Sequence, residues 1–388
     1  MTSMSPTPRR IDPYRVLFPL GATYGVIGAG LWPLTAAGAI PYPGVLHREL
    51  MIQGFELCFV MGFLLTAMPG FTKGAPCRPF ELVLATLGAV ATGVVAMVGE
   101  FRAAQAAFVV SIVLLVVVLS QRLRPWSTPR PVELVFVALG LVLGLAGGLL
   151  QFHAGAPTPF ASRLVSLGMV LSLVLGFGSL LVPTFAGMRA PLAIPGVAGA
   201  HERRGRVALY AAVIAVLLGA FAAEAAARAA LGAWLRACAA TVMLLWVWKL
   251  VRLPGKRDLP AFALWSSGWL LLIGLWMVAL LPQWTLAGLH VAFIGGYSLL
   301  TLAIATRVVV AHGRHPLDDE RRVLSPLAFG LLFAALVLRV GAEMAPAHAT
   351  AFLAASGTLW AAAWVLWALR AGPRIVHLRE VESTVSLR

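Results

Sequence analysis

From residue 16 to residue 370 the sequence repeats one pattern twelve times: a long apolar run, then Pro, Gly or a basic cluster. An uncharged run of about 20 residues is long enough to cross the hydrocarbon core of a bilayer as a helix. It must cross as a helix because no water reaches its backbone N–H and C=O groups there. The limits read as 16–39, 48–68, 80–98, 104–120, 132–152, 162–184, 207–225, 229–251, 259–281, 285–309, 325–345 and 348–370. The weakest cut lies between the seventh and eighth, where Glu224 and Arg228 are the main interruption. Composition agrees, with 60% hydrophobic and only 12% charged residues, against roughly 25% charged in soluble proteins. A soluble enzyme and a disordered chain are excluded together. A β-barrel is excluded too, because its strands alternate apolar and polar and these runs do not. The fold class expected is all-α: a polytopic helical membrane protein with 12 transmembrane helices in a single membrane domain.

The net charge of +15 would point to nucleic acid in a soluble chain. Here the basic residues sit in short loops between spans, so no nucleic-acid partner is expected and the lipid bilayer is the surrounding partner. Of the 30 Lys and Arg, 23 fall in the N-terminal tail and even-numbered loops. Five (Arg48, Arg102, Arg163, Arg228 and Arg236) fall on the other side, and Arg307 and Arg339 lie inside spans. The positive-inside rule then puts both termini in the cytoplasm, with residues 1–15 as a tail rather than a cleaved signal. The longest loop, about 185–206, divides the chain into six plus six spans, although no internal sequence repeat accompanies the division. Cys58, Cys77 and Cys238 form no C-x-x-C pair, so a zinc or thioredoxin site is not expected. The sequence sets no oligomeric state.

Ionisable residues inside a membrane are costly, and each is a functional candidate by default. The second span opens HRELMIQGFELCF, with Glu49, Gln53 and Glu56 at i, i+4 and i+7 on one α-helical face. Glu56 lies about 13 Å below His47 at the helical rise. The stripe fits a lined cavity, or a buried carboxyl satisfied by a neighbouring helix. His290 stands near the outer end of the tenth span, above Gly295 and Gly296. Those glycines permit close helix packing or a flat ligand. Arg307 follows about five turns later, where it can snorkel to the cytoplasm. Arg339 and Glu343 at i, i+4 suit an ion pair. His47, His153, His290 and His348 all fall toward the outer side; His201, His312, His315 and His377 fall toward the inner side. Imidazole is the commonest metal ligand and an axial ligand of haem. Cys58, Met61 and Met68 are soft enough for copper, although a Met pair at helical spacing is more often packing.

No Walker A, dinucleotide fingerprint, H-E-x-x-H, G-x-S-x-G or C-x-x-C-H occurs. There is no His-His pair of the kind a haem–copper oxidase core carries. The loop MPGFTKGAPCRP lacks the signature of a facilitator-type transporter.

Two segments resemble the NnrS family of bacterial membrane proteins. In residues 47–76, Gly62, Phe63, Leu64, Leu65, Thr66, Ala67 and Pro69 follow a His-containing opening, with Phe71 where an indole is common. In residues 289–314, His290, Gly295, Gly296, Arg307, His312, Gly313 and Arg314 match in kind. Length and the twelve-span layout agree as well. The resemblance implies an integral inner-membrane protein containing haem and copper and linked to nitric oxide response or nitrosative-stress protection. It implies nitric oxide as the small-molecule ligand. It makes His47, His290 and His312 the haem or metal ligand candidates, with Arg307 as a charge partner of a haem propionate. Glu49 stands where the family pattern has a second histidine, so it joins the metal candidates. No catalytic activity follows from these residues.

The alternative is a proton-coupled secondary transporter of twelve spans without metal, with Glu49, Glu56 and Glu343 relaying protons. A structural subunit of a respiratory complex is the third reading.

Overall fold

A computed structural model describes residues 11–123, 131–188 and 200–377. All regular structure among them is helical. Twelve helices are long and apolar enough to cross a membrane: α1 Tyr14–Ala36, α2 Gly44–Thr72, α3 Pro79–Val98, α4 Phe101–Arg122, α5 Leu134–Ala154, α6 Pro159–Phe185, α7 Glu202–Ala225, α8 Ala229–Val247, α9 Leu259–Leu280, α10 Pro282–His312, α11 Pro326–Met344 and α12 Pro346–Val376. The chain is a multi-pass membrane protein. Large apolar side chains of the spans, such as Val98, Trp246 and Leu369, face outward and are more than two-thirds exposed, as lipid contact requires.

The helix starts follow from the sequence. Pro stands at the first or second position of α3, α6, α9, α10, α11 and α12, where its missing N–H costs nothing. The Ser325 and Asp258 side chains accept from the N–H groups of Ala328 and Ala261 at 3.2 and 3.0 Å, capping α11 and α9. The uncertain cut between the seventh and eighth spans is a real turn. Ala227 takes the left-handed conformation there (φ +59°), and Glu224 and Arg236 form a buried ion pair between α7 and α8.

Three helices lie at the centre. In α6, 89% of the apolar stretch is buried within protein, and in α2 and α10 the share is 72%; no other span exceeds 56%. They touch one another directly. Tyr297 of α10 donates to the Ser166 carbonyl of α6 at 3.3 Å, Thr301 of α10 donates to Glu56 of α2, and α2 meets α6. The remaining spans surround them, and α12 closes the ring against α1. The buried spans thus recur every fourth along the chain. Residues 189–199 of the loop proposed to divide the chain six plus six lie outside the described residues.

Each central helix carries a π segment, at Glu49–Glu56, Leu164–Val170 and Val291–Ser298; a fourth, Val242–Val247, ends α8. A π turn bonds i to i+5, so it holds one residue more than an α turn and frees backbone geometry locally.

Candidate functional site

Between the central helices and α1, α11 and α12 lies a cavity of about 560 Å³, within the range of small-molecule sites. It lies toward the end where the odd-numbered loops gather, since its lining includes Tyr42 of the α1–α2 loop and Pro157 of the α5–α6 loop. That is the end poor in Lys and Arg. Its walls are aromatic, with Trp32, Phe55, Phe293, Tyr297 and Trp360.

His47 and His290 both line this cavity. α2 begins at Gly44, so His47 is a first-turn helical residue rather than a loop histidine. His290 closes the short α-helical start of α10, just before its π segment. His290 Nδ1 lies 2.8 Å from the Leu286 carbonyl. His47 Nδ1 lies 2.9 Å from the Gly28 carbonyl, with Trp32 Nε1 at 3.2 Å from the same nitrogen. A carbonyl can only accept, so the Leu286 contact assigns the proton of His290 to Nδ1; on His47 the Gly28 carbonyl calls for a proton on Nδ1 and the Trp32 N–H for a lone pair on the same atom. Nε2 of His290 is then left with its lone pair, the arrangement of a metal-ligating histidine.

Three guanidiniums share the wall: Arg48, Arg163 and Arg339. Arg339 pairs with Glu343 at 3.4 Å, as the i, i+4 spacing predicts. Glu343 also accepts from the Ala287 N–H at 2.9 Å, which ties α11 to the first turn of α10 just above His290. Arg48 and Arg163 appear in the sequence only as outer-side charges. The clue to Arg48 was its place beside His47; nothing in the sequence marks Arg163.

The acidic stripe of α2 is split by its π segment. Glu49 and Gln53 turn away from the cavity toward α4. Gln105 donates to Glu49 Oε1 and to Gln53 Oε1 at 3.0 Å, and Gln53 Nε2 donates back at 2.9 Å. Glu49 therefore does not stand with His47 and His290. Gln105, fully buried, was legible as the lone amide in an apolar span. Glu56 does reach the cavity. On an α-helix it would share the face of Glu49, but each π residue advances the helix by a smaller angle, and the lag accumulated by i+7 carries Glu56 to another face. It also borders a second, apolar cavity of about 90 Å³ that continues along α2, α6 and α10.

The remaining candidates lie elsewhere. Arg307 is ion-paired with Glu320 and stacks 4.6 Å from the Phe185 ring centroid; it does not line the cavity. His312 is exposed at the opposite end, 6.2 Å from the Tyr14 ring. Gly295 and Gly296 serve helix packing, since a Cβ on either would meet Leu270 or Leu271 of α9 within 2.9 Å. Cys58, Met61 and Met68 are core residues, and Met51 is the thioether on the cavity wall.

The model of the NnrS protein family matches residues 11–379. The chain belongs to the NnrS family. No curated protein matches it.

A metal in this NnrS-family cavity would meet a restricted donor set. Among the described residues, no group of three or more His, Cys, Asp or Glu is gathered to hold a metal ion. Two imidazoles, aromatic side chains and guanidiniums on one cavity fit a porphyrin, which would bring most of its metal's ligands with it and ask the protein for few. A bare copper ion fits less well, having only Met51 as a soft donor beside the two rings.

Proposed function

We propose that this NnrS-family protein is a haem-binding protein of the bacterial inner membrane, with His47 and His290 as the residues that would hold the iron, and that it acts in nitric oxide response or nitrosative-stress protection. The observation that carries the haem assignment is the pair of imidazoles lining one cavity, each with Nδ1 within 2.9 Å of a backbone carbonyl. The nitric-oxide assignment rests on the family. Haem iron, when bound, would supply a site for a diatomic ligand once one of the two imidazoles gives up its position. The protein's own residues would orient the rings, exclude water through Trp32, Phe293 and Trp360, and hold Glu56 at the deep end of the site. Copper, if present, would draw on the same imidazoles and Met51.

The test is the oxidised and dithionite-reduced visible spectrum of detergent-purified protein produced with haem supply, with metal analysis of the same sample. A Soret band near one haem per chain, lost or shifted in His290→Ala and in His47→Ala, is expected. A folded but colourless and metal-free protein would overturn the reading. It would favour transport without metal, for which Glu56 between the two cavities is the supporting feature; Glu56→Gln would then abolish proton-coupled uptake in vesicles.

A further inference from the structure

Three residues of the cavity wall each hold a polar atom that has no hydrogen-bond partner and is closed off from the cavity space. Arg339 Nε, Ser162 Oγ and Trp360 Nε1 are buried without a hydrogen-bond partner, and all three residues line the cavity. Arg339 is 7% exposed.

The charges are unbalanced. Arg48 has no ion-pair partner among the described residues. Its sequence neighbour Glu49 is turned to Gln105. Arg163 reaches Glu224 only at 3.7 Å, and the other oxygen of that carboxylate is held by Arg236. Arg339 has Glu343. Four guanidiniums thus share two carboxylates. Arg48 and Arg163 lie within five residues of the starts of α2 and α6, and Arg339 within five of the end of α11, so the three that line the cavity sit at one end of it. The lining carboxylate, Glu56, lies deeper, bonded to Thr301. Uncompensated cations on an apolar wall are costly unless an anion meets them.

We propose that the outer end of this cavity is an anion site, in which Arg48, Arg163 and Arg339 receive carboxylate or oxyanion groups. The groups have two sources: the propionates of a porphyrin held by the histidines, which rests on the reading above, or a free small oxyanion, which does not.

The test titrates full-length apo-protein in detergent with haem, with haem dimethyl ester and with sodium nitrite. Haem and its ester are followed at the Soret band, and nitrite by calorimetry. Arg48→Gln and Arg163→Gln are compared with Arg48→Lys and Arg163→Lys, which keep the charge if the Gln variants fold poorly. For the porphyrin source, haem binds the wild type about tenfold more tightly than the ester. That preference collapses in the Gln variants and is partly kept by Lys. For the free source, nitrite binds the wild type and is lost in the Gln variants, with or without haem binding. Haem and ester binding equally, with no nitrite binding, would overturn the anion site and leave the haem reading intact. No binding of any of the three would overturn both.

Discussion

Thr301 Oγ1 donates to Glu56 Oε2 across 3.3 Å, joining residues 245 positions apart. This bond fixes α10 against α2 at the point where the two cavities meet, and Glu56 has no ion pair among the described residues. Thr301→Val keeps the shape and removes the donor. The expected cost is about 1 kcal/mol, read as a lower thermal midpoint in detergent. Glu56→Gln keeps an acceptor for Thr301 and should melt near the wild type. Equal midpoints for Thr301→Val and wild type would show that the contact contributes nothing.

The Glu224–Arg236 pair is enclosed between α7 and α8, with the residues 9% and 2% exposed. Arg236 also lies over the Phe221 ring, 5.2 Å from its centroid. Removing one partner strands a buried charge, so Glu224→Gln should destabilise the protein by about 3 kcal/mol. Replacing both residues, as in Glu224→Gln with Arg236→Met, should recover most of that loss. A double variant as unstable as the single one would contradict this account.

Close approach of α9 and α10 depends on Gly274. A Cβ there would lie 2.5 Å from the Ala292 N and 2.6 Å from the Gly288 O, and backbone atoms cannot rotate aside. Gly274→Ala should push α10 outward and weaken whatever His290 binds. Gly219→Ala, with nothing within 4 Å of the added carbon, should be neutral or slightly stabilising. Haem affinity and thermal midpoint measured on the two variants would separate packing from mere helix propensity.

Cys77 lies between α2 and α3, and burial, helped by the Glu81 charge, pushes its thiol up to about 11. The reactive thiolate is therefore scarce at neutral pH. Maleimide labelling should be slow at pH 7 and accelerate as pH rises toward 11. With a membrane-impermeant reagent on a variant keeping Cys77 alone, labelling is expected from the cytoplasmic face. Labelling from the opposite face would reverse the orientation inferred from the basic loops.

The sequence by itself carried the number of spans, their approximate limits and the family. Those are local properties. A bilayer makes each span satisfy its own backbone, so every crossing is written in one continuous apolar run. The Arg339–Glu343 pair was legible for the same reason, since i, i+4 neighbours meet on any α-helix. Tertiary structure decided the rest. The stripe of Glu49, Gln53 and Glu56 assumed an α-helical period, and a π segment sent Glu56 to the cavity and the other two to Gln105. Arg307, a plausible partner for a bound anion in sequence, found Glu320 instead, while Arg48 and Arg163 joined His47 and His290. Which helices become neighbours depends on packing among twelve spans of nearly equal hydropathy, and apolar runs that look alike in sequence do not record who faces whom.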